Sequence, residues 1–316
     1  MAEVSRSFVS GAQPASRRLE ERMFVSWDGT ELAYQSVGDG PVMLLSNGLG
    51  GTVAAWRHLV NYFGDRYRFV SWDYRGLYRS RLPQDATRLD VVDHARDAQA
   101  LLRHLEVERA IVLGWSMGVQ VNFELYRLLP EAFRAMVIIN GTYGHPFEAG
   151  LDSRFRMLGN FVPGLASFAG KNAHRWVPIM RWLVSQPRFM QVLKTVGLAA
   201  ESLDEEVFLD LASDYSSLNF NTYMEVVRRL GEHSAEDLLP SVQRPTLILA
   251  GERDLFTPVV ASERLRRLVA GAELLVIRGG THYVPVEFPE LVNLRIEKFL
   301  RDHALLAPRS AQPLAP

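Results

Sequence analysis

The sequence predicts an α/β fold: a mostly parallel sheet of eight strands flanked by helices, with a helical segment inserted between two of the later strands. Three observations carry this reading. From about Met23 onward, short apolar runs alternate with longer segments of helical period, the pattern of a sheet covered on both faces. A chain of 316 residues suits one large domain with an insertion, because single hydrophobic cores stop growing at about 250–300 residues. The alternation also breaks between about 144 and 240, where several short helices are read instead.

Residues 1–21 hold scattered arginines and no continuous apolar run, so they are read as a flexible segment rather than a secretory signal. Segments near 23–27 and 31–36 flank Asp28-Gly29, the signature of an antiparallel hairpin. The runs 42–46, 68–72, 110–114, 135–139, 245–250 and 273–277 are apolar almost throughout, as strands buried on both faces must be. Val91, Ala95, Ala98, Leu102 and Leu105 recur at helical spacing, as do Leu291, Leu294, Phe299 and Leu300, and both sets are read as core faces. Pro258 and Pro289 stand where helices should begin, a position at which the missing N–H costs nothing.

The main body is thus expected over 22–143 and 241–303, with 144–240 as a helical cap inserted after the strand at 135–139. That insertion carries Trp176, Trp182, Phe189, Phe208, Tyr215, Phe220 and Tyr223. Such aromatics either close over a site or simply pack the insertion onto the main body. The tail 304–316, rich in Pro and Ala, is expected to be disordered.

Lys and Arg number 35 against 36 Asp and Glu, which gives no electrostatic reason to expect nucleic acid. A small molecule is the expected partner; nothing in the sequence speaks to oligomeric state. The absence of cysteine removes disulfides, thiolate metal sites and a cysteine nucleophile together. The histidines show no tight pairing with carboxylates at ligand spacing, so neither a metal nor another cofactor is expected. No stretch is long and apolar enough to span a bilayer, and a cytoplasmic location is expected.

Gly114-Trp115-Ser116-Met117-Gly118 follows an apolar strand and precedes a helical pattern, the context a G-x-S-x-G nucleophile elbow requires. Such a turn exposes Oγ of the serine, and its flanking glycines let strand and helix approach closely. Serine at its free pKa is a poor nucleophile, so it needs a histidine base and a carboxylate to orient that base. Asp254 lies just past the strand at 245–250 and His282 just past the strand at 273–277, at the sheet edge where ligands bind in open parallel sheets. Only His282 and His303 follow Asp254, and His303 falls in the predicted final helix, which leaves His282 as the base. Glu252 competes with Asp254 for the role of acid. Asn47-Gly48-Leu49-Gly50-Gly51 is a flexible turn suited to presenting the Leu49 N–H to an oxyanion, and Met117 would supply a second N–H. Trp56, Trp115, Phe256 and Tyr283 adjoin these positions and are expected to contact an apolar or aromatic substrate.

Assembled, these residues resemble the α/β-hydrolase superfamily from residue 23 to 303, in its Ser-His-Asp esterase and haloperoxidase-like branch. The resemblance implies the α/β-hydrolase fold and places Asp254 where the family's acid stands. Asp73-Tyr74-Arg75-Gly76-Leu77-Tyr78-Arg79-Ser80 looks like the family's D-x-R-G-x-G-x-S segment with Tyr78 at the second glycine, and Asn47 stands in place of the histidine of the His-Gly turn. A serine hydrolase of carboxylic esters, lactones or thioesters is the activity implied. On the same triad the family also runs haloperoxidase-like, C–C hydrolase and acyltransferase reactions, and a ligand-binding protein with little turnover is the reading from another class.

Overall fold

Asp28 and Gly29 turn the chain because glycine accepts φ 85° there, while Thr30 N–H donates to the Asp28 carboxylate at 3.2 Å. This tip joins β1 (Glu20–Val25) to β2 (Glu31–Val37) as an antiparallel pair, with Phe24 opposite Leu32. The computed structural model describes residues 19–145, 186, 188–215 and 217–309. Strand β1 starts at Glu20, ahead of the predicted position near 23–27 and inside the stretch read as flexible. Its residues are exposed except Phe24, so this edge strand lacks the apolar alternation that would have revealed it.

The remaining strands are β3 (Val42–Ser46), β4 (Arg68–Trp72), β5 (Ala110–Trp115), β6 (Phe133–Ile139), β7 (Thr246–Gly251) and β8 (Glu273–Ile277). They form an eight-stranded sheet in the order β1-β2-β4-β3-β5-β6-β7-β8. Strands β3 to β8 run parallel, and β2 runs antiparallel to its neighbour β4. From β3 the chain first steps outward to β4, then crosses back to β5 on the other side. The order therefore reverses beside β3 and β5, and in open α/β sheets the carboxyl ends at such a reversal are where ligands bind.

Side chains alternate between two cores. Leu44, Val70, Val112, Met136 and Ile248 face one layer with helices α2 (Val91–His104) and α3 (Met117–Leu128). Met43, Leu45, Phe69, Ile111 and Leu249 face the other with α1 (Arg57–Phe63). Asp90 starts α2 through a reciprocal capping box with Asp93, which satisfies two otherwise orphaned N–H groups.

Between β6 and β7 the described residues form α4 (Phe189–Thr195), α5 (Glu205–Tyr215) and α6 (Phe220–Glu232). Trp176 and Trp182 lie outside the described residues. The two ends of the excursion meet at the bridge between Gly144 and Ser234, and Ala235 N–H donates to Tyr143 O at 2.8 Å. Phe208 is buried against the main body, as are Val207 and Leu211 beside it.

After β7 come α7 (Val259–Leu268), the short α8 (Val284–Glu287) and α9 (Pro289–Asp302). Leu291 and Leu294 are not on the inward face of α9 as predicted: they are 43% and 56% exposed, whereas Val292, Ile296, Phe299 and Leu300 are buried. The i, i+4, i+7, i+8 row won over the i, i+3 pair of leucines. Nor does the chain leave the core at Ala304. Tyr67 O–H donates to Leu305 O at 2.8 Å, Ala307 N–H donates to Tyr67 Oη at 2.7 Å, and Leu305 and Leu306 pack on the core. The two leucines supply apolar area that the Pro-rich composition around them masks.

Candidate active site

Strand β5 ends at Trp115 and α3 begins at Met117, so Ser116 alone makes the turn, at φ 56° and ψ −119°. The close passage of strand and helix explains the glycines two residues away on each side. An added Cβ at Gly114 would lie 2.5 Å from Asn122 Nδ2, and one at Gly118 would lie 2.1 Å from Ser46 O. A non-glycine residue in the Ser116 conformation costs roughly 1–3 kcal/mol, held in place by the surrounding sheet.

The loop after β8 brings His282 to this serine. Ser116 Oγ lies 2.9 Å from His282 Nε2, and His282 Nδ1 lies 2.8 Å from Asp254 Oδ2. An ionised carboxylate only accepts, so Nδ1 carries the proton and donates it to Asp254, leaving Nε2 to accept from Ser116. Trp115 Nε1–H donates to the His282 carbonyl at 2.9 Å, fixing the histidine backbone to the strand that bears the serine.

Asp254 is buried and saturated with donors. Oδ1 accepts from Phe256 N and Thr257 N at 2.8 and 2.9 Å; Oδ2 accepts from Thr257 Oγ1 and Asn140 Nδ2, each at 2.6 Å. Burial pushes this carboxyl up, but attraction to His282 in its protonated form and the hydrogen bonds from His282, Thr257 and Asn140 outweigh it and hold the group below the usual aspartate range. Glu252 sits at the surface and accepts from Gly279 N at 2.8 Å. His303, at the end of α9, meets Glu273 instead.

The turn 47–51 passes over the serine. An added Cβ at Gly48 would sit 3.3 Å from Ser116 Cβ. Asn47, in place of the family's histidine, is buried and anchors this turn. Its Nδ2 donates to Trp72 O at 3.1 Å, its Oδ1 accepts from Trp56 Nε1 at 2.8 Å, and its carbonyl accepts from Tyr74 O–H at 2.7 Å. Leu49 is half-buried on the same turn. Met117 opens α3, where the first N–H groups have no partner within the helix.

Of the four expected substrate contacts, three border His282. Ring centroids of Phe256, Trp115 and Tyr283 lie 5.1, 5.8 and 6.0 Å from the imidazole. Burial pushes the Tyr283 phenol up to about 12, so it remains a neutral donor. Trp56 does not belong with them. It is 1% exposed, and its N–H is committed to Asn47, so it braces the turn from within the core.

Asn140 escaped sequence reading because Asn-Gly after a strand looks like an ordinary turn. It is fully buried at φ 44°, and its Nδ2 also donates to Thr281 O at 3.0 Å. One amide therefore ties the acid loop to the histidine loop. Replacing Asn140 with Ala removes a donor from a buried carboxylate and is expected to cost about 1–3 kcal/mol, read as a lower urea midpoint at unchanged slope. Glu287 ties the histidine loop instead to the segment between α4 and α5, accepting from Thr281 N at 2.7 Å and from Ala200 N at 2.8 Å. Among the described residues, no group of three or more His, Asp or Glu is placed to hold a metal ion, and no helix is long and apolar enough to cross a membrane.

The model of the alpha/beta hydrolase fold family matches residues 41–289. The chain belongs to the α/β-hydrolase family. This α/β-hydrolase is 26% identical over 272 residues to 3-oxoadipate enol-lactonase 2 of Acinetobacter baylyi, covering 85% of this chain and 93% of that one. It is 26% identical over 258 residues to the putative carbamate hydrolase RutD of Serratia proteamaculans, covering 80% and 88%. Among solved structures, bromoperoxidase from Bacillus anthracis superposes with a TM-score of 0.74 at 17% identity, over 90% of this chain and 100% of that one. That last likeness concerns the α/β-hydrolase fold alone.

Proposed function

We propose that this α/β-hydrolase is a serine hydrolase that cleaves a carboxylic ester or lactone through an acyl-enzyme on Ser116. The observation that carries the reading is the continuous chain of hydrogen bonds from Asp254 through His282 to Ser116, at 2.8 and 2.9 Å. The relatives support the substrate class, since one is named for a lactone and another for a carbamate, and both names denote attack on an acyl carbon.

In this mechanism His282 Nε2 takes the Ser116 proton as Oγ bonds to the acyl carbon, and the carbonyl electrons move onto oxygen. The N–H groups of Leu49 and Met117 receive that oxyanion. Collapse of the tetrahedral species expels the alcohol or enol oxygen, which takes the proton from His282. Water then repeats the sequence on the acyl-enzyme, and Asp254 stabilises the imidazolium in both halves. Trp115, Phe256 and Tyr283 flank the acyl group, and the helices between β6 and β7 serve as a cap above it. Their aromatic surface suits an apolar acyl compound.

Aryl esters sharing one acyl group but differing in leaving group test the covalent intermediate. With added methanol, the ratio of methyl ester to free acid should be the same for all of them, because all pass through one acyl-enzyme. A ratio that follows the leaving group contradicts the proposal. The same measurement with peroxide present separates peracid formation from hydrolysis.

Asp254 also predicts a pH dependence of stability. Its native pKa is lowered, so the unfolded state binds more protons in the window between the native and ordinary aspartate values. The stabilisation is complete above the ordinary range and is lost as pH falls through the lowered native value. Urea midpoints of Asp254→Asn should therefore fall less steeply than wild type as the pH drops below about 4.

A further inference from the structure

The phenol of Tyr78 is not required by any step above, yet the chain holds it in an unusual way. Its backbone sits at φ 51°, a left-handed conformation that glycine adopts freely and tyrosine does not. Glycine is the residue of the family motif at this place. A tyrosine there brings a side chain that glycine lacks, and that side chain has a specific partner.

That side chain reaches the turn over the serine: Tyr78 O–H donates to the Gly50 carbonyl. Gly50 itself lies at φ 77°, and an added Cβ would come within 2.7 Å of Tyr215 Cε2 and 3.2 Å of Tyr223 Cε2. The Tyr215 and Tyr223 rings meet edge to face at 5.1 Å, one from α5 and one from α6. Three phenols thus converge on one glycine of the 48–51 turn. On the other side of Leu49, Gly48 approaches Ser116 to within contact. Burial pushes the Tyr78 phenol well up, so its O–H persists as a donor.

We propose that Tyr78 is a positioning residue for the oxyanion turn: its O–H fixes the Gly50 carbonyl and so keeps the Leu49 N–H aimed toward Ser116. Tyr215 and Tyr223 close on the same glycine, which makes the aim depend on how the helices between β6 and β7 are seated. The inference rests on the acyl-enzyme reading of Ser116. It departs from that reading in assigning the quality of the oxyanion donors to a residue remote from the reacting atoms.

The test compares Tyr78→Phe and Tyr78→Gly with wild type and Ser116→Ala on one aryl ester. It also compares their affinity for an aryl trifluoromethyl ketone, whose hemiketal with serine carries an oxyanion. Both Tyr78 variants should lose about tenfold in kcat with KM within about twofold, and the ketone should bind about tenfold more weakly, as expected for one hydrogen bond acting only on the oxyanion. Tyr78→Gly relaxes the backbone but also removes a ring that packs on the core, so its Tm should fall below that of Tyr78→Phe while its kcat is no higher. A loss carried by KM alone, or a kcat loss with ketone affinity intact, overturns the proposal. A dead Ser116→Ala beside fully active Tyr78 variants overturns it alone, whereas retained turnover in Ser116→Ala overturns the acyl-enzyme reading and this inference together.

Discussion

Replacement of Ser116 with alanine is expected to lower kcat on an aryl ester by about 10⁴- to 10⁶-fold with little change in Tm. The alanine keeps the turn at φ 56° and loses only Oγ, whose one hydrogen bond goes to His282. What remains is the residual acceleration supplied by backbone donors and binding. Because Oγ and imidazole act as one unit, the double variant Ser116→Ala, His282→Ala should be no slower than either single one. Additive losses would mean that serine and histidine serve separate steps, contrary to the chain of hydrogen bonds between them.

Replacement of Arg75 with methionine is expected to destabilise the fold by about 3–5 kcal/mol. Arg75 is fully buried. Its Nε donates to Asp97 at 2.7 Å, its second amino group donates to the other Asp97 oxygen, and the first reaches Asp28 at 2.9 Å and Arg88 O at 3.1 Å. Burial pushes the Asp97 carboxyl up while the guanidinium opposes that shift. Without Arg75 the carboxylate is left in the core with Ser26, among the described residues, as its donor from the hairpin. A companion change of Asp97 to leucine should recover part of the loss, since a buried pair replaced whole costs far less than a pair broken. Urea unfolding measures both, and a single-variant loss under about 1 kcal/mol would contradict the assignment. The same segment carries Tyr78, so the Arg75 cluster also anchors the loop that reaches the turn above Ser116.

These cases show where sequence was informative. Strands β3 to β7 are covered on both faces, so burial itself writes a continuous apolar run into the chain, and their positions are legible within a residue or two. The edge strand β1 buries Phe24 alone and left almost no such mark. Ser116 was legible because the close passage of strand and helix forces glycine at 114 and 118. His282 was singled out by elimination and by its place after the last strand, whereas position alone left Glu252 beside Asp254 and the family resemblance chose between them.

Trp56 was misjudged because nearness in sequence to a glycine turn does not say which way an indole points. Its N–H is spent on Asn47, and that pairing is visible only in three dimensions. Asn140 lies 114 residues from the carboxylate it serves, and no local pattern marks such a partner. Tyr78 was visible as a departure from the motif, but its meaning depends on Gly50, brought to it by β3 and β4 lying side by side.

The most direct test of the central claim is active-site titration with a fluorophosphonate, followed by peptide mapping of the modified residue. One label per chain is expected, on Ser116, with loss of ester turnover in proportion to labelling and no label on Ser116→Ala. Labelling of another residue with turnover lost, or full turnover after Ser116 is labelled, would contradict it.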